Sequence, residues 1–262
     1  MPADIITRHP IWPISLAFTE DTHKYVDSFG HQYISVTTLT KQFCEPFDAV
    51  GISQAMARRD PSQSPEAIRA EWKAKSQAAC KHGTRVHEYA EWLFSGRCRG
   101  KQHTPGSDLE SGAQKAVAAI YGDLIESGRY QYVGAEMAVF CPLRRVAGTL
   151  DLALRHVETG DIWLVDWKTN REIKREGYNG KRMEAPLEHL QDCSFEQYSL
   201  QLAIYWEILR TACWLPLEGP RNARIIWIDP AGQPQIIEPA DRAKEARLLL
   251  NWNYKLALEV AQ

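Results

Sequence analysis

Short apolar runs separated by turn-forming residues occupy the middle of the chain. Runs at residues 130–141, 146–155 and 162–167 predict three consecutive strands, and Glu-Thr-Gly-Asp at 158–161 predicts a tight turn between the last two. Longer segments carry apolar residues at helical spacing. They predict helices at residues 50–94, broken near Pro61 and Pro65, and at 111–127, 195–213 and 240–260, with another strand at 223–228.

The N-terminal segment has a different pattern. Residues 16–25 and 32–39 predict two strands around the turn-forming sequence Asp-Ser-Phe-Gly at 27–30, and hence a β-hairpin segment over residues 1–45. Residues 95–106 hold three glycines and a proline and predict a loop. The succession of helix, three strands, helix, strand and helix indicates an α/β fold with a helical N-terminal part. We therefore expect one continuous domain over residues 46–262 with the N-terminal segment packed on it.

The composition is that of an ordinary globular protein. Of the 262 residues, 44% are hydrophobic and 24% are charged, and the formal net charge is −2. Because this charge gives no overall attraction to nucleic acid, binding of that kind would need a local basic patch. The long polar loop at 171–194 supplies a candidate patch, although a solvated loop explains the same residues: Arg171, Lys174, Arg175, Lys181 and Arg182.

The cysteines and the hydropathy pattern exclude several classes of protein. None of the six cysteines forms a Cys-x-x-Cys pair, so we expect neither a zinc ribbon nor an iron–sulfur cluster. The first residues contain no apolar segment of the kind found in a signal peptide, and no apolar run approaches the ~20 residues of a membrane span. We therefore expect an intracellular, cytoplasmic protein with reduced thiols and no membrane contact.

Two carboxylates and a lysine lie in the predicted strands. Alternate residues of a strand share a face, so Asp166 and Lys168 should point the same way. Asp151 occupies the neighbouring strand, on the face opposite to three leucines: Leu150, Leu152 and Leu154. Two carboxylates and one ammonium suit a divalent cation and a phosphodiester. A structural ion pair would give the same pattern, so the flanking motifs decide between the two interpretations.

The flanking segments add further polar residues. His87 and Glu91 lie one turn apart on a predicted helix, where a lone histidine is more often structural than a ligand. Gln197, Gln201 and Tyr205 form a polar stripe at i, i+4 and i+8 on the helix 195–213. This stripe either is partly solvated or faces a substrate groove.

In this order the motifs resemble the PD-(D/E)XK nuclease superfamily, in its RecB-like exonuclease branch and its virus-encoded type. The resemblance rests on Gly-Thr-x-x-His at 83–87, Gly-Thr-Leu-Asp at 148–151, Asp-Trp-Lys-Thr at 166–169 and Gln-x-x-x-Tyr at 201–205. His-Lys-Tyr at 23–25 and Ser-Val-Thr at 35–37 add to it less specifically. Two departures are Leu150, where this branch commonly has proline, and the missing four-cysteine iron–sulfur motif.

The resemblance implies a restriction-endonuclease-like core, with a mixed central sheet flanked by helices, and a metal site. Asp151 and Asp166 would hold one or two Mg²⁺ or Mn²⁺ ions, with His87 and the backbone carbonyl of Trp167 as further ligands. The imidazole makes Mn²⁺ plausible, since nitrogen ligands suit it better than Mg²⁺. Lys168 would orient the attacking water or help to deprotonate it.

Four other side chains have less definite roles. The resemblance implies that Gln201 and Tyr205 contact the phosphate backbone or support the site. Glu136 and Glu91 are secondary candidates for metal binding, and either one could equally be exposed or paired with an arginine.

The function implied is that of a metal-dependent DNA exonuclease acting on single strands or duplex ends in recombination, replication or repair, in the setting of a bacteriophage and its bacterial host. Its partners would be DNA and other recombination or replication proteins. The loop 171–194, with its basic residues and Tyr178, would arch over the site and grip single-stranded DNA.

The alternatives are a catalytically silent DNA-binding or scaffold protein on the same fold and a structure-specific endonuclease. A sequence-specific restriction enzyme is less favoured by the flanking motifs, and a non-nuclease metal hydrolase would be expected to show His-Glu-x-x-His, which is absent.

Overall fold

The structure, a computed structural model, describes residues 5–19, 22, 24–96, 104–215, 217 and 221–259. Within these residues the strands are β1 (Ile5–Arg8), β2 (Ser15–Thr19), β3 (Lys24–Asp27), β4 (Gln32–Ser35), β5 (Tyr130–Cys141), β6 (Val146–His156), β7 (Ile162–Lys168), β8 (Asn222–Ile228) and β9 (Pro234–Ile237). The helices are α1 (Val36–Lys41), α2 (Ala49–Arg59), α3 (Pro65–Phe94), α4 (Asp108–Tyr121), α5 (Ser194–Thr211) and α6 (Ala243–Glu259).

The strands form one mixed sheet between two layers of helices. Along the sheet the order is β1-β2-β3-β4-β6-β7-β8-β9, and β5 pairs with β6. Helices α1, α5 and α6 cover one face, where Leu39, Leu200 and Leu249 join the main core. Helices α3 and α4 cover the other face through Val86 and Val117. The prediction of an α/β fold with a mixed central sheet flanked by helices is confirmed.

The central part of the chain follows the predicted order of helix, three strands, helix, strand and helix, except that β9, which was not predicted, lies between β8 and α6. Strands β5, β6 and β7 are antiparallel neighbours, whereas β8 runs parallel to β7. Helix α5 makes the crossover that a parallel pair requires. The predicted break in the long N-terminal helix is also present, because Ser64 caps α3 by accepting a hydrogen bond from the backbone N–H of Ala67, and Pro65 occupies its first turn.

The N-terminal segment differs from the predicted hairpin. Residues 16–25 form two antiparallel strands, β2 and β3, and β1 adds a strand that was not predicted. Residues 32–39 begin as strand β4 but continue as helix α1. The change occurs because the Ser35 hydroxyl accepts the backbone N–H of Thr38 at 3.0 Å and caps the helix. Strand β4 joins the central sheet by pairing in parallel with β6, with Ile34 opposite Val146.

The long loop at 171–194 is anchored to the body of the protein. Its side chains Met183, Leu187 and Leu190 are buried in the core beneath α5 and α6. Tyr178, at the tip, is 72% exposed. The segment is therefore a fixed loop with an exposed aromatic tip. The second predicted loop, at 95–106, lies largely outside the described residues.

Two further findings concern the cysteines and the length of the helices. The five cysteines in the described ranges, Cys44, Cys80, Cys141, Cys193 and Cys213, are free thiols. None of the helices in those same ranges combines the length and the apolar character that a membrane crossing demands.

Candidate metal centre

The centre of the site is a fork between two strands. The β6–β7 ladder ends at the pair Leu152–Val165, so the next residues outward are Asp151 and Asp166. Asp151 Oδ2 accepts the backbone N–H of Trp167 at 2.7 Å across the gap. The Asp151 and Asp166 side chains are both buried, and the fork brings the two carboxylates to adjoining positions on neighbouring strands.

Lys168 lies beside Asp166, as the alternation along β7 predicts. Its Nζ atom is 2.6 Å from Asp166 Oδ2, and its side chain is only 16% exposed. The ammonium also lies 4.7 Å from the ring centroid of Tyr198 in α5. Both the carboxylate and the ring therefore contact the ammonium.

Helix α3 brings His87 to the same fork from the other face of the sheet. Its Nδ1 atom is 3.4 Å from Glu136 Oε1 and 3.6 Å from Asp151 Oδ2. Its Nε2 atom is 3.2 Å from the carbonyl oxygen of Trp167, to which it can only donate. The structure thus joins His87, Asp151 and the Trp167 carbonyl, three of the predicted ligands, and adds Glu136 from β5.

An unusual backbone conformation positions Glu136 at the site. It is opposite Asp151 in the β5–β6 register, between the pairs Ala135–Leu152 and Met137–Leu150, and its φ is 46°. A non-glycine residue in the left-handed region is strained, and such strain concentrates at functional sites. The distortion also accompanies a change of face in β6.

Because of that change, the three leucines of β6 do not share one face as the alternation predicts. Leu150 packs in the core beneath α5, whereas Leu152 and Leu154 pack beneath α3 and α4. A local irregularity in one strand re-aims side chains in this way. Asp151 lies at the switch point and is thereby directed toward α3 and His87.

The donor set fits a divalent cation. His87, Glu136 and Asp151 offer ligand atoms that all lie within 4.8 Å of one another. Carboxylate oxygens and an imidazole nitrogen at this spacing would be able to hold one divalent cation between them. Asp166 is not a member of this triad, but it occupies the adjoining position of the fork, and its Oδ2 atom is buried and has no hydrogen-bond partner apart from its ion pair with Lys168.

The electrostatics of the group without a metal ion also favour the binding of a cation. Burial raises the pKa of both Asp151 and Asp166; the charge of Glu136 further raises the pKa of Asp151, and the charge of Asp151 further raises that of Asp166. Burial also disfavours the imidazolium of His87, but Asp151 and Glu136 outweigh it and raise the pKa of His87 to about 9. A crowded group of buried carboxylates is stabilised by a cation, for which Lys168 and protonated His87 substitute here.

A cleft of about 360 Å³ opens beside Lys168, between α1 and α5. Its walls combine hydroxyl, amide and cationic side chains, namely Thr37, Thr40, Lys41, Lys168, Gln197, Tyr198 and Gln201. Sequence reasoning missed Lys41 and Tyr198. A signal for Tyr198 was present, since it precedes Gln201 by three residues and Tyr205 by seven and so shares their helix face.

The predicted stripe on α5 divides between two roles. Gln201 lines the cleft, whereas Gln197 also donates from Nε2 to Asp192 Oδ1 at 3.1 Å. Tyr205 is buried against Gly148 of β6, and burial raises the pKa of its hydroxyl well above the ordinary value. Tyr205 therefore supports the strand that carries Asp151, as a neutral phenol.

The remaining candidates lie outside the group of ligands. Glu91, one turn beyond His87, is not a member of the triad that the described residues form. The basic side chains of the loop 171–194 are exposed, and four of them already have partners: Lys174 pairs with Glu172, Lys181 with Glu45, Arg182 with the His189 carbonyl, and Arg175 lies over Phe195. Arg171 is exposed three residues beyond Lys168.

Comparison with known proteins gives a distant likeness. No family model and no curated protein matches the chain. Among solved structures, it is similar to the crystal structure of a "putative exonuclease" from Eubacterium rectale, with 17% sequence identity and a TM-score of 0.46. The likeness covers 87% of this chain and 80% of that chain. A likeness of this degree assigns no family, activity or substrate to this chain.

Proposed function

We propose that this protein is a metal-dependent deoxyribonuclease that hydrolyses phosphodiester bonds at DNA ends. The observation that carries the proposal is the fork at which Asp151 and Asp166 adjoin, with His87 on one side and Lys168 on the other. A structural ion pair needs one acid and one base. Here Glu136, Asp151 and His87 form one group and the buried Asp166 adjoins it, an arrangement that is costly in the absence of a cation.

The residues that would hold the cation are His87, Glu136, Asp151, Asp166 and the carbonyl of Trp167. When bound, a divalent cation supplies Lewis acidity to the phosphate and lowers the pKa of a water molecule. The mixture of imidazole and carboxylate ligands favours Mn²⁺ over Mg²⁺ in affinity, with one or two ions bound.

The other polar residues act on the substrate and on the attacking water. Lys168 Nζ retains donors beyond its pair with Asp166 and borders the cleft, so it can hold a water or a phosphate oxygen there. Gln201 offers an amide to the phosphate backbone from the wall of the same cleft. Tyr205 keeps β6 in place through its contact with Gly148.

Action on DNA ends is supported by the resemblance of the four motifs to RecB-like exonucleases. The loop 171–194 adds exposed cationic side chains and the exposed ring of Tyr178, which suit phosphate contact and base stacking. Such an activity would serve recombination, replication or repair.

The test compares cleavage of end-labelled linear DNA with that of a covalently closed circle in Mg²⁺, Mn²⁺ or EDTA. Metal-dependent loss of the linear substrate alone, absent in Asp166→Asn, is the expected result. Lys168→Ala should reduce the rate by about 10²–10⁴-fold, the usual contribution of a positioned acid or base. Cleavage of the circle would indicate an endonuclease. DNA binding without cleavage under any metal would overturn the proposal in favour of a catalytically silent binding protein.

A further inference from the structure

Tyr198 is the one aromatic side chain that the described structure places against the ammonium of Lys168. The distance from Nζ to the ring centroid is 4.7 Å, well within the range of a cation–π contact. The four motifs assign no role to Tyr198, because the motif on α5 begins at Gln201 and ends at Tyr205.

The ion pair with Asp166 does not by itself fix the position of Lys168. A lysine side chain has four rotatable bonds and its ammonium is a point charge, so one contact leaves its direction open. The pair at 2.6 Å joins the ammonium to a single oxygen atom of Asp166. A second restraint is needed to keep Nζ at the edge of the cleft.

The ring of Tyr198 is well placed to supply that restraint. It projects from α5, a helix whose neighbouring residues Ser199, Leu200 and Leu202 are buried, so the ring is mounted on a rigid element. Tyr198 and Lys168 both line the cleft of about 360 Å³. The ring therefore backs the ammonium while leaving one side of it open to the cleft.

We propose that Tyr198 is a positioning residue that holds the Lys168 ammonium by its ring face, so that the free N–H groups point into the cleft. This inference rests on the proposed nuclease function. The ring, and not the hydroxyl, is the element that acts. Burial raises the pKa of the Tyr198 hydroxyl, so the side chain is neutral and the contact with Lys168 is not an ion pair.

The distinction between ring and hydroxyl defines a matched pair of variants. Tyr198→Phe keeps the ring and should retain kcat within about twofold of the parent. Tyr198→Leu keeps an apolar side chain but removes the ring, and it should lower kcat by about 10–100-fold, the scale of a misplaced catalytic group, with KM changed less than twofold. In the Lys168→Ala background, Tyr198→Leu should cause no further loss, because the residue on which it acts is gone.

A readout independent of activity comes from NMR of protein labelled with ¹³C at lysine Cε. The Lys168 signal, assigned with Lys168→Ala, should be shifted upfield by the ring current in the parent and in Tyr198→Phe, and should return to the ordinary position in Tyr198→Leu. Mn²⁺ affinity should be equal in all three proteins, which excludes damage to the metal site.

The possible results distinguish a failure of the positioning role of Tyr198 from a failure of the nuclease function. Equal kcat in an active parent and in Tyr198→Leu, or an equal loss in Tyr198→Phe and Tyr198→Leu, would overturn the positioning role and leave the nuclease function intact. A parent protein that cleaves no DNA with any metal would overturn the nuclease function and the positioning role together, even if the ring-current shift is observed.

Discussion

Gly148 lies directly against the ring of Tyr205. A Cβ atom at position 148 would be 2.7 Å from Tyr205 Oη and 2.8 Å from its Cε1 atom, closer than real side chains approach. Tyr205 lies on α5 and is buried. The glycine of the Gly-Thr-Leu-Asp sequence is therefore explained by packing, since it lets α5 lie close to β6, the strand that carries Asp151.

We expect Gly148→Ala to destabilise the protein by about 1–3 kcal/mol, as overpacking of a core does. The matched control is Gly83→Ala in the middle of α3, where a Cβ would meet only Thr169 Oγ1 at 3.4 Å. Alanine inside a helix is favoured over glycine, so this variant should be neutral or stabilised by up to about 1 kcal/mol. Urea unfolding of both variants measures these changes in stability. A Gly148→Ala protein as stable as the parent would contradict the close packing against Tyr205.

Asp151 has a structural role that can be separated from metal binding. Its Oδ2 atom accepts the buried N–H of Trp167 at the open end of the β6–β7 ladder. Asp151→Asn can still accept this hydrogen bond, whereas Asp151→Ala leaves the N–H unpaired at a cost of about 1–3 kcal/mol. We expect both variants to lose cleavage and Mn²⁺ binding, but only the alanine variant to lose stability. Thermal unfolding without metal, giving equal midpoints for the two variants, would argue against the structural role.

Glu136 and Glu91 were equivalent candidates in the sequence, and the structure distinguishes them. Glu136 Oε1 lies 3.4 Å from His87 Nδ1 and within the group that includes Asp151, while Glu91 stays outside it. We expect Glu136→Gln to weaken Mn²⁺ binding at least about tenfold, or about 1.4 kcal/mol, because one charged ligand is lost. Glu91→Gln should bind Mn²⁺ like the parent. Calorimetric titration of the two variants would contradict this assignment if the order of affinities were reversed.

The sequence predicts those parts of the fold that have a regular period. Strands β5, β6 and β7 are continuous apolar runs with a Gly-Asp turn before β7, and their pairing follows from short connections. The adjoining positions of Asp151 and Asp166 follow from the same regularity. Lys168 falls beside Asp166 for the same reason, since both lie on one face of β7.

The structure differs from the prediction where a local or tertiary contact outweighs the periodic pattern of apolar residues. The β-branched sequence from Val36 to Thr38 favours a strand, but the Ser35 cap converts it to helix α1. Periodicity also cannot reveal the left-handed backbone of Glu136, which turns its carboxylate toward His87. The contact between Tyr198 and Lys168 joins two elements and is visible only in the folded chain.

Asp27 provides a pH-dependent contribution to stability at the β3–β4 turn. Its carboxylate accepts the backbone N–H groups of Phe29 and His31 at 2.9 Å and the Tyr33 hydroxyl at 3.1 Å. Burial would raise the pKa of Asp27, but these hydrogen bonds and a further one from His31 Nδ1 at 3.1 Å outweigh it and hold the pKa below the ordinary value of 3.8. The stabilisation is therefore complete above pH 3.8 and is lost as the pH falls toward the folded-state value.

We expect Asp27→Asn to lower the free energy of unfolding by about 1–3 kcal/mol at pH 7, because hydrogen bonds to a charged acceptor become neutral ones. The difference between variant and parent should shrink below pH 3.8, because Asp27 is then protonated in the unfolded chain and folding has to release that proton. Urea unfolding at pH 7, 5 and 3 measures this difference. A gap that is constant over the three values would show that the charge of Asp27 contributes nothing.

The basic loop should determine the salt dependence of DNA binding. Its exposed cations lie on an anchored segment with Tyr178 at the tip, and replacing four of them with glutamine tests their contact with phosphates: Lys174, Arg175, Lys181 and Arg182. Each phosphate contact on a single strand contributes about −0.7 to the slope of log K against log salt, so the slope should flatten by up to about 3. Lys174 and Lys181 already pair with Glu172 and Glu45, so we expect a smaller change than that limit.

A control with the same charge loss replaces exposed or half-exposed cations away from the loop: Arg8, Lys115, Arg129 and Arg155. Fluorescence anisotropy of labelled single-stranded DNA between 50 and 300 mM NaCl, about the range over which such binding weakens most, gives both slopes. Equal slopes for the two variants would place the DNA on another surface of the protein.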